Sequence, residues 1–207
     1  MERLKIAILA SGAGSNLAAL IDAIQKKRLD AKIVLVVSNN AGSGALEKAR
    51  LAEIPALHLS EKKAGSPKAL DDELLTVFKQ YGVELIALAG YMKKIGADII
   101  RTYRNRILNI HPALLPAFGG KGMYGLNVHR AVLDYGCKLT GVTVHLVTEE
   151  YDAGPPVLQE SVPVRADDTP EILAARVLRV EHQIYARAIQ LFAENRISVK
   201  GRMVTIR

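Results

Sequence analysis

Apolar side chains fill residues 4–10 almost without a break, and from 16 to 28 the apolar positions Leu17, Leu20, Ile21 and Ile24 recur at helical spacing. The same exchange of patterns repeats down the chain. Residues 33–38 read as a second strand, 45–52 as a helix and 55–59 as a short strand. Then 67–81 reads as a helix, and 83–89 and 107–110 as further strands. Near-continuous apolar strands between amphipathic helices predict a parallel sheet covered on both faces. Beyond this the pattern changes. Residues 140–147 alternate and 157–164 are extended, which predicts added antiparallel strands. Asp168-Thr169-Pro170-Glu171 is a helix start, with Pro170 at the first helical position and Asp168 or Thr169 as cap. That helix is predicted to reach about Asn195, with a short Val/Ile tail after it. The fold class expected is α/β: Rossmann-like, doubly wound, mostly parallel, with late antiparallel strands.

No repeat, low-complexity stretch or linker divides the 207 residues, so one domain over 1–207 is expected. The contents, 49% hydrophobic and 24% charged, are those of a soluble globular protein. The first apolar run is too short for a signal peptide, and no run approaches the ~20 apolar residues of a membrane span; a cytoplasmic protein is expected. Cys137 is the single cysteine, which excludes an internal disulfide and a multi-cysteine metal site. The net charge of +7 is spread along the chain, and aromatics are 5% with no tryptophan. A nucleic-acid binder would cluster its basic residues, so the charge points instead to solubility and attraction of small anions. Five scattered histidines without paired spacing argue against zinc.

Three features carry candidate chemistry. Asn109 and His111 are two apart at the end of an apolar strand and leave the same face; Pro112 then stops regular pairing. With a separate carboxylate, Asp152 in Asp152-Ala153-Gly154, they supply a donor, an acid/base group and a charge able to stabilise a tetrahedral oxyanion. By itself, that spacing also suits a histidine that merely bonds a turn. Asp152-Ala153-Gly154 likewise suits a surface turn; if it packs against His111, the carboxylate favours the charged imidazole. The turn Ser11-Gly12-Ala13-Gly14-Ser15-Asn16 joins strand to helix and can cradle a phosphate, with Ser15 and Asn16 adding donors and capping the helix. It lacks the third glycine of a dinucleotide fingerprint, where Leu17 stands, and strand two ends without an acid for a ribose. A phosphate monoester fits better than NAD. Thr143 and His145 form a second pair two apart, read as structural.

In this order, Ser11–Asn16, Ala89-Gly90-Tyr91-Met92, Asn109-Ile110-His111-Pro112-Ala113-Leu114-Leu115-Pro116, Gly141-Val142-Thr143-Val144-His145 and Asp152-Ala153-Gly154 resemble the glycinamide ribonucleotide formyltransferase family of de novo purine synthesis. The resemblance implies 10-formyltetrahydrofolate as co-substrate, phosphoribosylglycinamide as acceptor, no metal, and a monomer or homodimer binding neither nucleic acid nor membrane. It assigns Asn109, His111 and Asp152 to catalysis, with Asn109 on the formyl oxygen and His111 held charged by Asp152. It places the ribonucleotide on Gly14, Ser15, Asn16 and Glu181, and the folate along Met92, Lys93, Lys94 and Ile95 and near 147–152. A phosphate-binding half over about 1–105 and a folate-binding, catalytic half over about 106–207 follow.

Two departures stand out. Ala113 occupies a position where many family members carry serine, and the glycine-rich stretch 119–128 exceeds the shortest family version. A family arginine that meets the folate tail falls near Pro67, where Lys68 offers only a point charge. The alternatives within the class are a formylfolate hydrolase and an aminoacyl-tRNA formyltransferase. Both are expected to carry an extra domain.

Overall fold

Strand β1 (Leu4–Leu9) sits inside a seven-stranded sheet ordered β3-β2-β1-β4-β5-β6-β7 in the computed structural model, which describes residues 2–207. The other strands are β2 (Ala31–Ser38), β3 (Ala56–His58), β4 (Leu85–Leu88), β5 (Ile107–His111), β6 (Leu139–Leu146) and β7 (Pro156–Pro163). Strands β1 to β5 run parallel; β6 pairs antiparallel with β5, and β7 pairs antiparallel with β6. The expected mostly parallel sheet with late antiparallel strands is the observed one.

The unbroken apolar runs have a direct cause. Ile6, Ile8 and Ala10 face one layer, made by α1 (Ser15–Gln25), α2 (Gly44–Leu51), α6 (Leu126–Asp134) and α7 (Pro170–Ala193). Ala7 and Leu9 face the other, where α4 (Pro67–Gln80) brings Leu70, Leu74 and Phe78 and α5 (Ala97–Thr102) brings Ile99. Strands β1, β2 and β4 are covered twice, so neither of their faces can be polar.

Successive connections leave β1 for β2 on one side and later reach β4 on the other. Such a reversal opens a crevice beyond the carboxyl ends of the two strands. Ser11 stitches this point together. Its Oγ donates to Asn39 Oδ1 at 2.5 Å and accepts from the Met92 N–H at 2.7 Å, and its carbonyl accepts from Asn40 Nδ2 at 2.6 Å.

The reversed direction of β6 decides what faces what. In the antiparallel register, Asn109 lies opposite His145 and His111 opposite Thr143. Two pairs spaced by two residues thus become one four-residue cluster on a single face. Thr143 Oγ1 donates to the Ala113 carbonyl at 2.7 Å and accepts from the Leu115 N–H at 3.0 Å, fixing the turn that follows His111.

At the helix starts, the expectation for α7 holds and that for α1 does not. Thr169 alone caps α7, its Oγ1 accepting from the Ile172 N–H, while Asp168 turns away to a bidentate ion pair with Arg176 at 2.6 and 2.7 Å. At α1 the cap is Gly14 in the left-handed region (φ 73°), with no side-chain cap. Neither Ser15 nor Asn16 caps it, because Asn16 is drawn across to Glu181. The Val/Ile tail forms a hairpin, β8 (Ile197–Lys200) and β9 (Met203–Ile206), and the short α3 (Glu61–Ala64), α5 and α6 go beyond the expected elements.

Candidate active site

A cavity of about 590 Å³ opens along the carboxyl ends of β4 and β5. That volume lies within the usual range for a small-molecule site. Its walls are the 90–95 segment, the end of β5, the glycine-rich 120–125 loop, the 147–152 loop and one stripe of α7. Asn16, Met92, Lys93, Lys94, Ile95, Asn109, His111, Asp152 and Glu181 all line it; Gly14 and Ser15 stand behind Asn16 at the start of α1.

The catalytic candidates meet at one end. Asp152 Oδ2 lies 3.6 Å from His111 Nδ1, and Oδ1 lies 3.5 Å from His145 Nε2. Asn109 Nδ2 is 3.1 Å from His145 Nε2 and 3.4 Å from Asp152 Oδ1. Backbone carbonyls settle the histidine tautomers, since a carbonyl only accepts. His145 Nδ1 lies 2.9 Å from the Leu146 carbonyl, so it carries the proton and its Nε2 accepts from Asn109. His111 Nε2 lies 2.8 Å from the Phe118 carbonyl, so it donates there and leaves Nδ1 as the nitrogen free to gain or lose a proton. A proton arriving on Nδ1 lands beside the Asp152 carboxylate.

Burial shapes the charges. His111 is 3% exposed, and desolvation is the largest influence on it, lowering its pKa below the ordinary 6.5. Asp152 and the Phe118 carbonyl pull the other way but do not prevail. The expectation that Asp152 holds His111 charged is therefore corrected: at neutral pH the imidazole is neutral, because its burial outweighs the carboxylate 3.6 Å away. Burial is also the largest influence on Asp152, opposing ionisation, yet His145, the Gly120 N–H at 2.9 Å and His111 together lower its pKa. Asp152 remains a carboxylate. Replacing it by asparagine is expected to lower the His111 pKa further, measured by NMR titration of the imidazole; an unmoved or raised value would refute the coupling.

The backbone around Asp152 explains the spacing of its motif. Asp152 has φ 52°, in the left-handed region, and Gly154 runs against β6. A Cβ on Gly154 would sit 1.7 Å from the Leu146 carbonyl oxygen. Gly154→Ala is therefore expected to destabilise the fold by about 1–3 kcal/mol or more, checked by denaturant titration. An unchanged midpoint would show that the loop yields freely.

At the other end, the first N–H groups of α1 point out of the helix without a side-chain cap. Gly14 cannot be replaced cheaply, since a Cβ there would lie 2.7 Å from the Ala45 Cα. Asn16 Nδ2 donates to Glu181 Oε2 at 2.8 Å, and Asn16 Oδ1 is buried without a partner. Burial raises the Glu181 pKa, against the Asn16 hydrogen bond. A buried acceptor beside a carboxylate invites donors, hydroxyl or amine, from a ligand. Tyr185, four residues on from Glu181 along α7, ties that helix to the sheet beneath the cavity. Its buried hydroxyl lies 2.9 Å from the Leu88 carbonyl and 3.2 Å from the Leu108 carbonyl.

Along the third wall, Ile95 is buried and Met92 is 54% exposed, an apolar lip facing the 147–152 loop. Lys94 Nζ stands 5.9 Å from the centre of the Tyr151 ring, spanning the cavity mouth. Lys68 does not line the cavity; it pairs with Asp72 and Asp98. The sequence reading missed Tyr185 and the part of His145 in orienting Asn109. It also missed His129, which lines the cavity, is 4% exposed and leaves Nδ1 unpartnered. The alternation Thr143-Val144-His145 opposite Asn109-Ile110-His111 was the available signal for His145.

A donor amide, an imidazole with one uncommitted nitrogen and a buried carboxylate, gathered beyond the switch point of a mixed sheet, define a site for transfer of a small acyl group. The chain belongs to the formyl transferase family, whose model matches residues 4–189. It is 44% identical to the chloroplastic phosphoribosylglycinamide formyltransferase of Arabidopsis thaliana, over 95% of this chain and 68% of that protein. It is also 44% identical to the trifunctional purine biosynthetic protein adenosine-3 of Gallus gallus, over 96% of this chain but 19% of that much longer protein. The crystal structure of glycinamide ribonucleotide transformylase 1 from Symbiobacterium toebii superposes with a TM-score of 0.93 at 43% identity, covering 99% of this chain and 94% of that one.

Proposed function

We propose that the protein transfers the formyl group of 10-formyltetrahydrofolate to the amine of 5'-phosphoribosylglycinamide, giving the N-formyl product and tetrahydrofolate in purine biosynthesis. The observation that carries this reading is a single cavity joining two unlike ends. One end offers the uncapped α1 N-terminus with Asn16 and Glu181; the other offers Asn109, His111 and Asp152. A phosphorylated amine and a formyl donor can meet between them.

In this reading the phosphate takes the free N–H groups after Gly14, aided by Ser15 and Asn16, and Glu181 takes donors of the ribosyl-glycinamide part. The folate lies along Met92, Lys93, Lys94 and Ile95, against the 147–152 loop. The amine attacks the formyl carbon, forming a carbon–nitrogen bond and placing negative charge on the formyl oxygen. Asn109 meets that oxyanion with the hydrogen now shared with Asp152 over 3.4 Å. His111 Nδ1 takes the proton lost by the amine, with Asp152 stabilising the imidazolium, and returns it toward N10 as the carbon–N10 bond breaks. The chain acts as one unit, 1–207, with its phosphate side drawn from about 1–105 and most of its catalytic side from about 106–207.

The test follows deformylation of 10-formyltetrahydrofolate by absorbance, with and without phosphoribosylglycinamide. Turnover that requires the ribonucleotide is expected. Equal turnover without it would make water the acceptor and the protein a hydrolase.

A further inference from the structure

The hairpin β8–β9 lies beyond the residues 4–189 that the family model matches, yet its tip touches the catalytic end. Arg202, in the turn after Gly201 (φ 60°), donates from Nη1 to the Ala153 carbonyl at 2.8 Å. Among the described residues, this is the one hydrogen bond that the main chain from Thr148 to Gly154 receives from outside the loop. The neighbouring residue is Asp152, whose left-handed backbone is uncommon for a non-glycine residue and persists only where its surroundings impose it. The hairpin can bear that load. Ile197, Val199 and Val204 pack against the main core, and the Arg207 N–H donates to the Arg196 carbonyl at 2.9 Å, closing its open end.

We propose that Arg202 is a positioning residue for the reaction: through the Ala153 carbonyl it holds the Asp152 backbone so that the carboxylate stands against His111. The C-terminal hairpin is then part of the catalytic apparatus. A guanidinium suits the task, being a permanent cation whose donors reach a carbonyl from the far side of a solvent-exposed turn. Gly120 restrains the same aspartate from inside the cavity by its side chain, and Arg202 restrains it from outside by its main chain.

This inference rests on the catalytic role proposed for Asp152, and its test separates the two. Arg202→Ala is expected to lower kcat about tenfold, about 1.4 kcal/mol of transition-state stabilisation, with KM for both substrates within about twofold. Arg202→Lys is expected to recover most of the loss. In an Asp152→Asn background Arg202→Ala should have almost no further effect, since the group it positions is already gone. NMR titration of His111 reads the brace without any turnover: Asp152 raises the imidazole pKa, so a loosened carboxylate lowers it. A folded Arg202→Ala protein with unchanged kcat and unchanged His111 titration overturns the proposal, as does full additivity with Asp152→Asn. If Arg202→Ala does not fold, Arg202→Gln, too short to span the gap but still polar, is measured against the same expectations. A lowered His111 pKa in a protein that transfers no formyl group would support the brace while sinking the function proposed for the site.

Discussion

Replacing His111 by alanine is expected to lower kcat by about 10²–10⁴, the usual worth of a positioned general acid–base group. The loss should fall on kcat with little change in KM, because His111 is 3% exposed and its free nitrogen faces Asp152. The wild-type pH profile should agree. Burial sets the His111 pKa below 6.5, so the neutral, proton-accepting form predominates at pH 7 and kcat falls as pH drops through the lowered pKa. Stability carries the same sign. An unfolded histidine binds its proton near pH 6.5, before the folded one does, so the contribution of neutral His111 is present above pH 6.5 and lost on acidification through its folded pKa. A folded variant with near-normal turnover would remove His111 from the mechanism.

Asn109→Ala is expected to cost about 10²–10³ in kcat, the typical loss of one oxyanion donor. The geometry adds a second signature. Asn109 Nδ2 is shared between His145 Nε2 at 3.1 Å and Asp152 Oδ1 at 3.4 Å. Removing it leaves the lone pair of His145 facing the carboxylate across 3.5 Å with no hydrogen between them. The His145 ring and the Asp152 carboxylate should then draw apart in the variant, as read from its crystal structure. Retained kcat in a correctly folded Asn109→Ala protein would assign the oxyanion to another donor.

Both predictions concern residues visible in the sequence, and the reason is periodicity. A two-residue spacing at the end of an apolar strand fixes the face of Asn109 and His111 without any knowledge of neighbours. The sheet was legible on the same ground, since doubly covered strands must be apolar throughout. What escaped depends on partners distant in the chain. The charge state of His111 follows from its burial beneath a turn that brings the Phe118 carbonyl within 2.8 Å, a turn the sequence shows only as the approach to a glycine-rich stretch. Asn16 reads as a helix cap until α7 brings Glu181 within 2.8 Å, across a separation of 165 residues. Helix α6 is nine residues long and follows directly on a run of glycines, so Leu126, Val128, Ala131, Val132 and Leu133 span too few turns to announce a helical period. Strands β8 and β9 are four residues each, too short for alternation to separate a hairpin from a tail.

The antiparallel pairing of β5 with β6 has a consequence for how the molecule comes into being. Asn109 and His145 are 36 residues apart, Asn16 and Glu181 farther still, and no helix or hairpin formed early brings either pair together. Closing such long-range contacts is the slow part of assembling a mixed sheet. Helical signal on dilution from denaturant should therefore return well ahead of formyl transfer, and enzymatic competence becomes a reporter of the last strand to find its register. A chain slipped by a single residue between β5 and β6 would keep its helices and much of its bulk while turning His145 to the face opposite His111.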